Sequence, residues 1–326
     1  MDSELYPYVF EPVYQEYLWG GDRIARQYGR SGVPAVCAES WEISDRPEAR
    51  SRIVNGPCRD RTLRDLLARH SAAVLGTSAG SATAFPLLIK IIDARLRLSL
   101  QVHPDETTAA ATGGEPKTEM WYALPSAPDA RVFCGLRPGV NRAQFEAALR
   151  EERLEPLLHA VPVAAGQAVF VPGGRVHAIA EGCLLLEIQQ NSNTTFRVYD
   201  WGRLGADGKP RDLHVDAALR TINWSDSPGE SLFPRAIPAA GPNRRYEIVT
   251  APCFRVGCLD LIEPETLTLD GRSFLALFVA SGSAIAHGNG QEAVLRAGTS
   301  CLLPATLGTC SLIPADAGAE VVLVAL

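Results

Sequence analysis

Three segments of this chain carry side chains that together could hold a metal ion. One is Gly166-Gln-Ala-Val-Phe-Val-Pro172-Gly173-Gly174-Arg-Val-His177, an apolar run broken by Pro-Gly-Gly, with a histidine five residues after the proline. A turn of this kind re-aims a strand, and side-chain alternation then points His177 into the mouth of a small β-barrel. Gln101-Val-His103 places an amide oxygen and an imidazole two residues apart, on one face of a strand. Lys117-Thr-Glu119 adds a carboxylate. Imidazoles, a carboxylate and an amide oxygen without a thiolate suit a catalytic zinc, which keeps one position for water or substrate. The same set suits Mn²⁺ or Fe²⁺, and the residues alone do not choose among them.

The other histidines, His70, His159, His214 and His287, stand in no such setting and read as ordinary polar residues. Eight cysteines are scattered with no C-x-x-C pair, so they read as buried or free thiols rather than a disulfide framework. A chain of 326 residues with 46% apolar and 21% charged residues can bury a substantial core as one large domain or two. Its net charge of −6 argues against nucleic acid as the main partner, although a local basic pocket for one phosphate stays possible. The acidic start Met-Asp-Ser-Glu precedes no long apolar segment, so neither a signal peptide nor a membrane span is expected. The expected location is cytoplasmic.

Several elements must position these residues. Two helices are predicted, over Arg61–Leu75, with Leu63, Leu66, Leu67 and Val74 on one face, and over Arg142–Leu158, with Asn141 as N-cap. A shorter one is predicted around Asp216–Ile222. Strands are predicted over Leu87–Asp93, Leu96–Val102, Met120–Leu124, Val132–Gly135, Ala168–Val171, Cys183–Gln189 and Phe196–Tyr199. The polar stretch from Asn223 to Glu230 reads as a boundary, giving domains 1–225 and 226–326. From Tyr246 onward the chain is nearly all strand-like. There, Gly298-Thr-Ser-Cys-Leu-Leu-Pro304 repeats the spacing of Gly166 to Pro172, with Thr309 standing where the first copy has His177.

The pattern Gly166-x5-Pro172-x-Gly174-x2-His177 resembles the second signature motif of the cupins, double-sheet barrels that commonly hold a divalent metal. The implied fold class is mainly β: a cupin-type (jelly-roll) β-barrel with added helices, then a degenerate cupin-like C-terminal domain without ligands. Taken in order, a wider set of segments resembles the type I mannose-6-phosphate isomerases (phosphomannose isomerases), in their shorter bacterial form. These segments are Tyr17-Leu-Trp19-Gly-Gly21, Glu39-Ser-Trp41-Glu42, Phe85-Pro-Leu-Leu-Ile-Lys90 and Leu98-Ser-Leu-Gln-Val-His-Pro-Asp105. They continue with Lys117-Thr-Glu119, Pro172-Gly-Gly-Arg-Val-His177, and Gln189-Gln-Asn-Ser192 running to Arg197-Val-Tyr-Asp-Trp201.

That resemblance implies one Zn²⁺ per chain on His103, Glu119 and His177, with Gln101 as a fourth ligand in longer members. It matches Arg197 to an active-site arginine, and Lys90, Ser99 and Lys117 to positions that meet the substrate or its phosphate. Pro116 stands where the long form has a histidine, so no proton-transfer role carries over to it. The implied reaction interconverts mannose 6-phosphate and fructose 6-phosphate through an enediol. It needs positive charge near the developing oxyanion and a base near C2. Lys117 could be that base or only a phosphate clamp. Trp41, Tyr199 and Trp201 read as pocket walls or as core. Two other functions compete: a cupin-type non-haem iron oxygenase, whose metal also takes two histidines and a carboxylate, and a non-catalytic sugar-binding cupin. The cations Lys90, Lys117 and Arg197 favour a phosphorylated small-molecule substrate. No nucleic-acid or membrane partner is expected, and the oligomeric state stays open.

Overall fold

The computed structural model describes residues 3–205, 208–238 and 241–326, apart from the side chain of residue 316. The fold is mainly β, with five short α-helices among the described residues. None is long and apolar enough to cross a membrane. Two compact units are present: residues Met1–Val13, Trp41–Ile89 and Phe233–Leu326 form one, and Tyr14–Ser40 with Lys90–Leu232 form the other. The first unit thus combines two N-terminal stretches with the C-terminal residues, whereas the sequence reading divides the chain linearly into 1–225 and 226–326.

In the first unit a ten-stranded sheet is dominated by two long antiparallel partners, Leu275–Gly288 and Gly308–Ala325. Their ladder shifts register near Gly282, whose φ of +73° and crowded surroundings only glycine accepts. Bending there lets one strand serve two faces. Leu277, Val279, Ala284, Ala286, Leu295, Leu303, Leu312 and Val321 form the interior of this unit. The proposed repeat has matching local geometry. Gly166 (φ +85°) precedes the strand Ala168–Val171, and Gly298 (φ +83°) precedes Ser300–Leu303. The helical segment Leu63–Leu75 lies where expected, started by a Thr62–Asp65 capping box and kinked at His70, whose φ of −131° and ψ of 28° are non-helical.

The second unit is a sandwich. One sheet has the order Leu158–Pro162, Arg131–Leu136, His177–Ile179, Leu100–Val102, Phe196–Tyr199. The other runs Ser231–Leu232, Ala168–Val171, Glu119–Ala123, Cys183–Gln190, Leu87–Ala94, and from Lys90 onward that last strand belongs to this unit. Between the sheets lie Trp121, Ala123, Val132, Cys134, Val169, Val171, Ile179, Cys183 and Leu185. The outer face of the five-stranded sheet is covered by helices Arg142–Arg150 and Val215–Thr221, through Phe145, Leu154, Phe196, Val198 and Ala218. Both faces are therefore buried, which explains strands that read as continuous apolar runs.

Two predicted elements are shorter than expected. The helix beginning at Asn141, with its Asn141–Gln144 capping box, ends at Arg150 rather than Leu158. Glu152 adopts φ +55°, and Leu158–Pro162 pairs instead with Arg131–Leu136. The strand expected over Leu96–Val102 begins only at Leu100; ahead of it, Leu96 and Leu98 donate to the carbonyls of Trp19 and Ile179 at 3.0 and 2.8 Å.

The segment that carries Tyr17 and Trp19 is tied down by a buried carboxylate. Asp93, fully buried, accepts the Arg23 backbone N–H (2.7 Å) and its Nε (2.8 Å), while the same guanidinium donates to the Gly182 and Cys183 carbonyls. A Cβ at Gly21 would lie 2.5 Å from Asp93 Oδ2, so the close approach requires glycine. Asp93→Ala should cost about 3 kcal/mol, because it leaves an arginine without its buried partner. Urea unfolding of the variant against the parent measures this.

Candidate metal centre

The inter-sheet face of the second unit changes character along its length. Strand alternation sets which residues point inward. Ala94, Ile92 and then Lys90 share one such row; Ala123, Trp121 and then Glu119 share another; Cys183, Leu185 and then Glu187 share a third. The apolar members make the core and the charged members make the site. In the facing sheet, His177 is paired with Gln101, and Gln101 with Arg197, so these three stand in one row across adjacent strands.

His103, Glu119 and His177 meet, each at most 1% exposed, with candidate ligand atoms all within 4.8 Å of one another. His103 Nε2 lies 3.4 Å from Glu119 Oε2, and His177 Nε2 lies 3.4 Å from Glu119 Oε1. His177 Nδ1 is 2.9 Å from the Arg175 carbonyl. Donation from that nitrogen leaves the Nε2 lone pair facing Glu119, the tautomer a metal requires. Burial, reinforced by Lys117, drives the His103 pKa down to about 3, and burial lowers that of His177 as well, so both rings are neutral. Burial works to raise the pKa of Glu119, but the charge of Lys117 and contact with His103 outweigh it and hold the carboxylate well below its usual range.

Around this trio, charges are packed without water-sized separation. Lys117 Nζ is 2.9 Å from His103 Nε2 and 2.7 Å from Glu119 Oε2. Lys90 Nζ is 3.1 Å from both Glu39 Oε1 and Glu187 Oε1. Burial alone would lower the Lys90 pKa; the carboxylates of Glu187, Glu39 and Glu119 together raise it. Glu187 accepts the Trp121 indole N–H at 2.7 Å through Oε2. Burial, then the neighbouring Glu119, raises the Glu187 pKa.

Three buried carboxylates thus face two ammonium groups. Glu119 Oε2 and Glu187 Oε1 meet the ammonium groups of Lys117 (2.7 Å) and Lys90 (3.1 Å) as ion pairs, while Glu119 Oε1 has no hydrogen-bond donor. An anionic excess with an unsatisfied oxygen beside two neutral imidazoles fits a divalent cation, and the donor set is nitrogen and oxygen only. His103, Glu119 and His177 could hold it. Gln101 stands beside them, its amide nitrogen 3.3 Å from His177 Nε2 and its oxygen 3.5 Å from Ser99 Oγ.

A cavity of about 300 Å³ opens next to the trio, walled by Lys90, Ser99, Gln101, Lys117, Arg197, Glu39, Glu187, Asn193, Thr195 and Arg211. All the expected site residues are therefore either in the trio or on this wall. Lys90 differs from expectation in its surroundings, since two carboxylates already neutralise it. Among the aromatic candidates, Trp41 is core, packed with Ala49 and Leu88. Trp201 donates to the Leu98 carbonyl at 2.7 Å and, with Tyr199, packs against the outer cluster. Tyr17 and Trp19, stacked at 5.5 Å, line the cavity instead. Sequence reasoning gave no role to Glu187, Glu39 or Arg211. A lone carboxylate in the otherwise apolar run Cys183-Leu-Leu-Leu-Glu187-Ile was the available signal for the first.

Trp121→Phe should remove one donor from a buried carboxylate and cost about 1–3 kcal/mol of stability. Denaturant unfolding under matched metal conditions tests it.

Comparison with known proteins places this geometry in context. Residues 8–128 match the model of the phosphomannose isomerase type I catalytic domain. Over 305 residues the chain is 31% identical to a protein of Bacillus subtilis named "Probable mannose-6-phosphate isomerase GmuF", covering 93% of this chain and 95% of that protein. It is 36% identical over 224 residues to the mannose-6-phosphate isomerase ManA of the same organism, covering 68% of this chain and 70% of that one. The crystal structure of mannose 6-phosphate isomerase from Bacillus subtilis superposes with a TM-score of 0.87 at 29% identity, over 98% of this chain and 99% of the other.

Proposed function

This chain belongs to the type I phosphomannose isomerases, and from that premise we infer that it interconverts mannose 6-phosphate and fructose 6-phosphate. It is a metal-dependent aldose–ketose isomerase of mainly-β, cupin-type fold. The observation that carries the reading is the buried His103–Glu119–His177 group opening onto a cavity rich in cations and hydrogen-bonding groups. An iron oxygenase would need the same trio but has no use for the arginine and lysine wall.

We assign the metal as one Zn²⁺ on His103, Glu119 and His177; Gln101 would be a further ligand with its amide turned so that the oxygen replaces the nitrogen now 3.3 Å from His177 Nε2. When bound, the cation supplies Lewis-acid stabilisation of negative charge on sugar oxygen. The chain's own residues do the rest. Ser99 and Lys90 meet sugar hydroxyls; an ammonium has three donors, and Glu39 and Glu187 take two of those of Lys90. Arg197, whose Nε has no hydrogen-bond partner, offers its guanidinium to the negative charge of the substrate as the enediol forms.

The C2 proton goes to Glu187 in this reading. Glu187 lines the cavity, its Oε1 is held 3.1 Å from the Lys90 ammonium, burial and the neighbouring Glu119 raise its pKa, and the proton it takes from C2 is returned to C1. Lys117 acts as a catalytic cation held against Glu119 at 2.7 Å rather than as the proton acceptor. The strands of residues 233–326 serve as scaffold, since Thr309 stands at the repeat position of His177. A cytoplasmic setting suits the eight free thiols.

A coupled assay for fructose 6-phosphate tests the assignment. The purified protein should turn over mannose 6-phosphate, lose activity to a chelator and regain it with Zn²⁺. Arg197→Ala should lower turnover by about a hundredfold with the metal content unchanged by elemental analysis. Metal loss in that variant would show a structural role for Arg197 instead. Absence of turnover by the metal-loaded parent would sink the isomerase reading.

A further inference from the structure

The lysines expected to meet the substrate phosphate do not present excess positive charge. Lys90 lies between Glu39 and Glu187, and Lys117 between Glu119 and His103. That end of the cavity holds two ammonium groups against three carboxylates, and a divalent cation there is matched to the sugar's oxygens rather than free for a phosphate.

The opposite wall is different. Asp200, its side chain 7% exposed, is the shared partner of two arginines. Arg211 donates to it through Nε (2.8 Å) and a terminal nitrogen (2.5 Å), and Arg203 pairs with the same carboxylate. Arg197 stands beside them and has no carboxylate ion pair among the described residues; one terminal nitrogen donates to the Asp212 carbonyl at 2.7 Å. Arg197 and Arg211 line the same cavity, and after burial repulsion from Arg211 is the largest influence lowering the Arg197 pKa. Two guanidiniums, Arg203 and Arg211, thus share one carboxylate, and Arg211 lines the catalytic cavity together with Arg197, which no carboxylate neutralises among the described residues. The strand pairing sets the direction. Arg197 lies in the row of Gln101 and His177, two strand spacings from the metal trio, or about 10 Å.

We propose that Arg211, held in place by Asp200 and flanked by Arg197, is the phosphate anchor that selects a 6-phosphorylated sugar over its unphosphorylated form. This rests on the phosphosugar isomerase reading. The sugar then lies along the row, with C1 and C2 at the trio and the phosphate on the arginine wall. Asp200 is a positioning residue: it fixes the Arg211 fork while leaving the cluster cationic. Ser99, Asn193 and Thr195, on the same cavity wall, supply neutral donors and acceptors for the hydroxyls between.

The test uses the full-length protein, metal-loaded and chelator-treated, with inorganic phosphate as probe in calorimetry and as competitive inhibitor in the assay. Arg211→Gln should weaken phosphate binding and raise KM for mannose 6-phosphate by about tenfold or more, with a much smaller change in kcat. The ratio of kcat/KM for mannose 6-phosphate over mannose should fall by the same factor. Arg211→Lys, keeping charge without the fork, should lie between, and provides the measurement if the glutamine variant does not fold. Lys90→Gln should leave phosphate affinity within about twofold, far below the tenfold step expected for the anchor. Unchanged phosphate affinity in both Arg211 variants, loss of phosphate binding on Lys90→Gln alone, or loss on chelation would each overturn the proposal. A parent protein that binds phosphate through Arg211 yet isomerises nothing would keep the anchor and refute the isomerase reading.

Discussion

The second unit depends on keeping a dense set of charges out of water without leaving any of them alone. Glu39, Lys90, Lys117, Glu119 and Glu187 are all less than 10% exposed, with the two imidazoles of His103 and His177 among them. An isolated buried ion costs several kcal/mol even after relaxation, so such a group survives only when neighbours and hydrogen bonds offset that cost. Here the ammonium groups each bridge two acceptors, and the residual excess is negative. A divalent cation is what completes the neutralisation, and the metal requirement follows from the burial as much as from the chemistry.

The sandwich makes this possible by dividing each inward row of side chains between two tasks. Trp121, Ile92 and Leu185 seal one end, so that Glu119, Lys90 and Glu187, two residues further along the same rows, sit in a low-dielectric environment. There, each electrostatic contact is stronger than it would be at the surface. The far wall is built on a different rule. Asp200 is buried, but Arg203 and Arg211, which share it, are partly solvated, and the excess there is positive. The cavity is thus polarised along its length, cation-seeking at the trio and anion-seeking at the arginines. A sugar that carries a polar carbonyl end and a phosphate end matches that polarity.

The elements differ in how locally their residues encode them. The helix at Leu63–Leu75 was legible because its period is local. The helix at Arg142 was legible at its start, where Asn141 caps it, and not at its end, where a strand of the neighbouring ladder claims Leu158. Trp41 and Tyr17 show the same limit for the site. Both stand in segments that resemble the family, yet one is packed into a core and the other walls the cavity, a difference no spacing reveals. Lys90 was legible as a cation near the site; that two carboxylates flank it was not.

By itself the sequence determined the element types, the inward parity of each strand, and the nature of the donors at positions 101, 103, 119 and 177. Those follow from local propensity and a two-residue period, which a linear pattern records. Only the tertiary structure decided which of these side chains meet, which charges cancel, and which face the cavity with charge to spare. The physical reason is that charge pairing is a through-space property. Glu39 and Lys90 are 51 residues apart and Trp121 and Glu187 are 66 apart, so their partnership exists only once strands distant in the chain have been brought side by side.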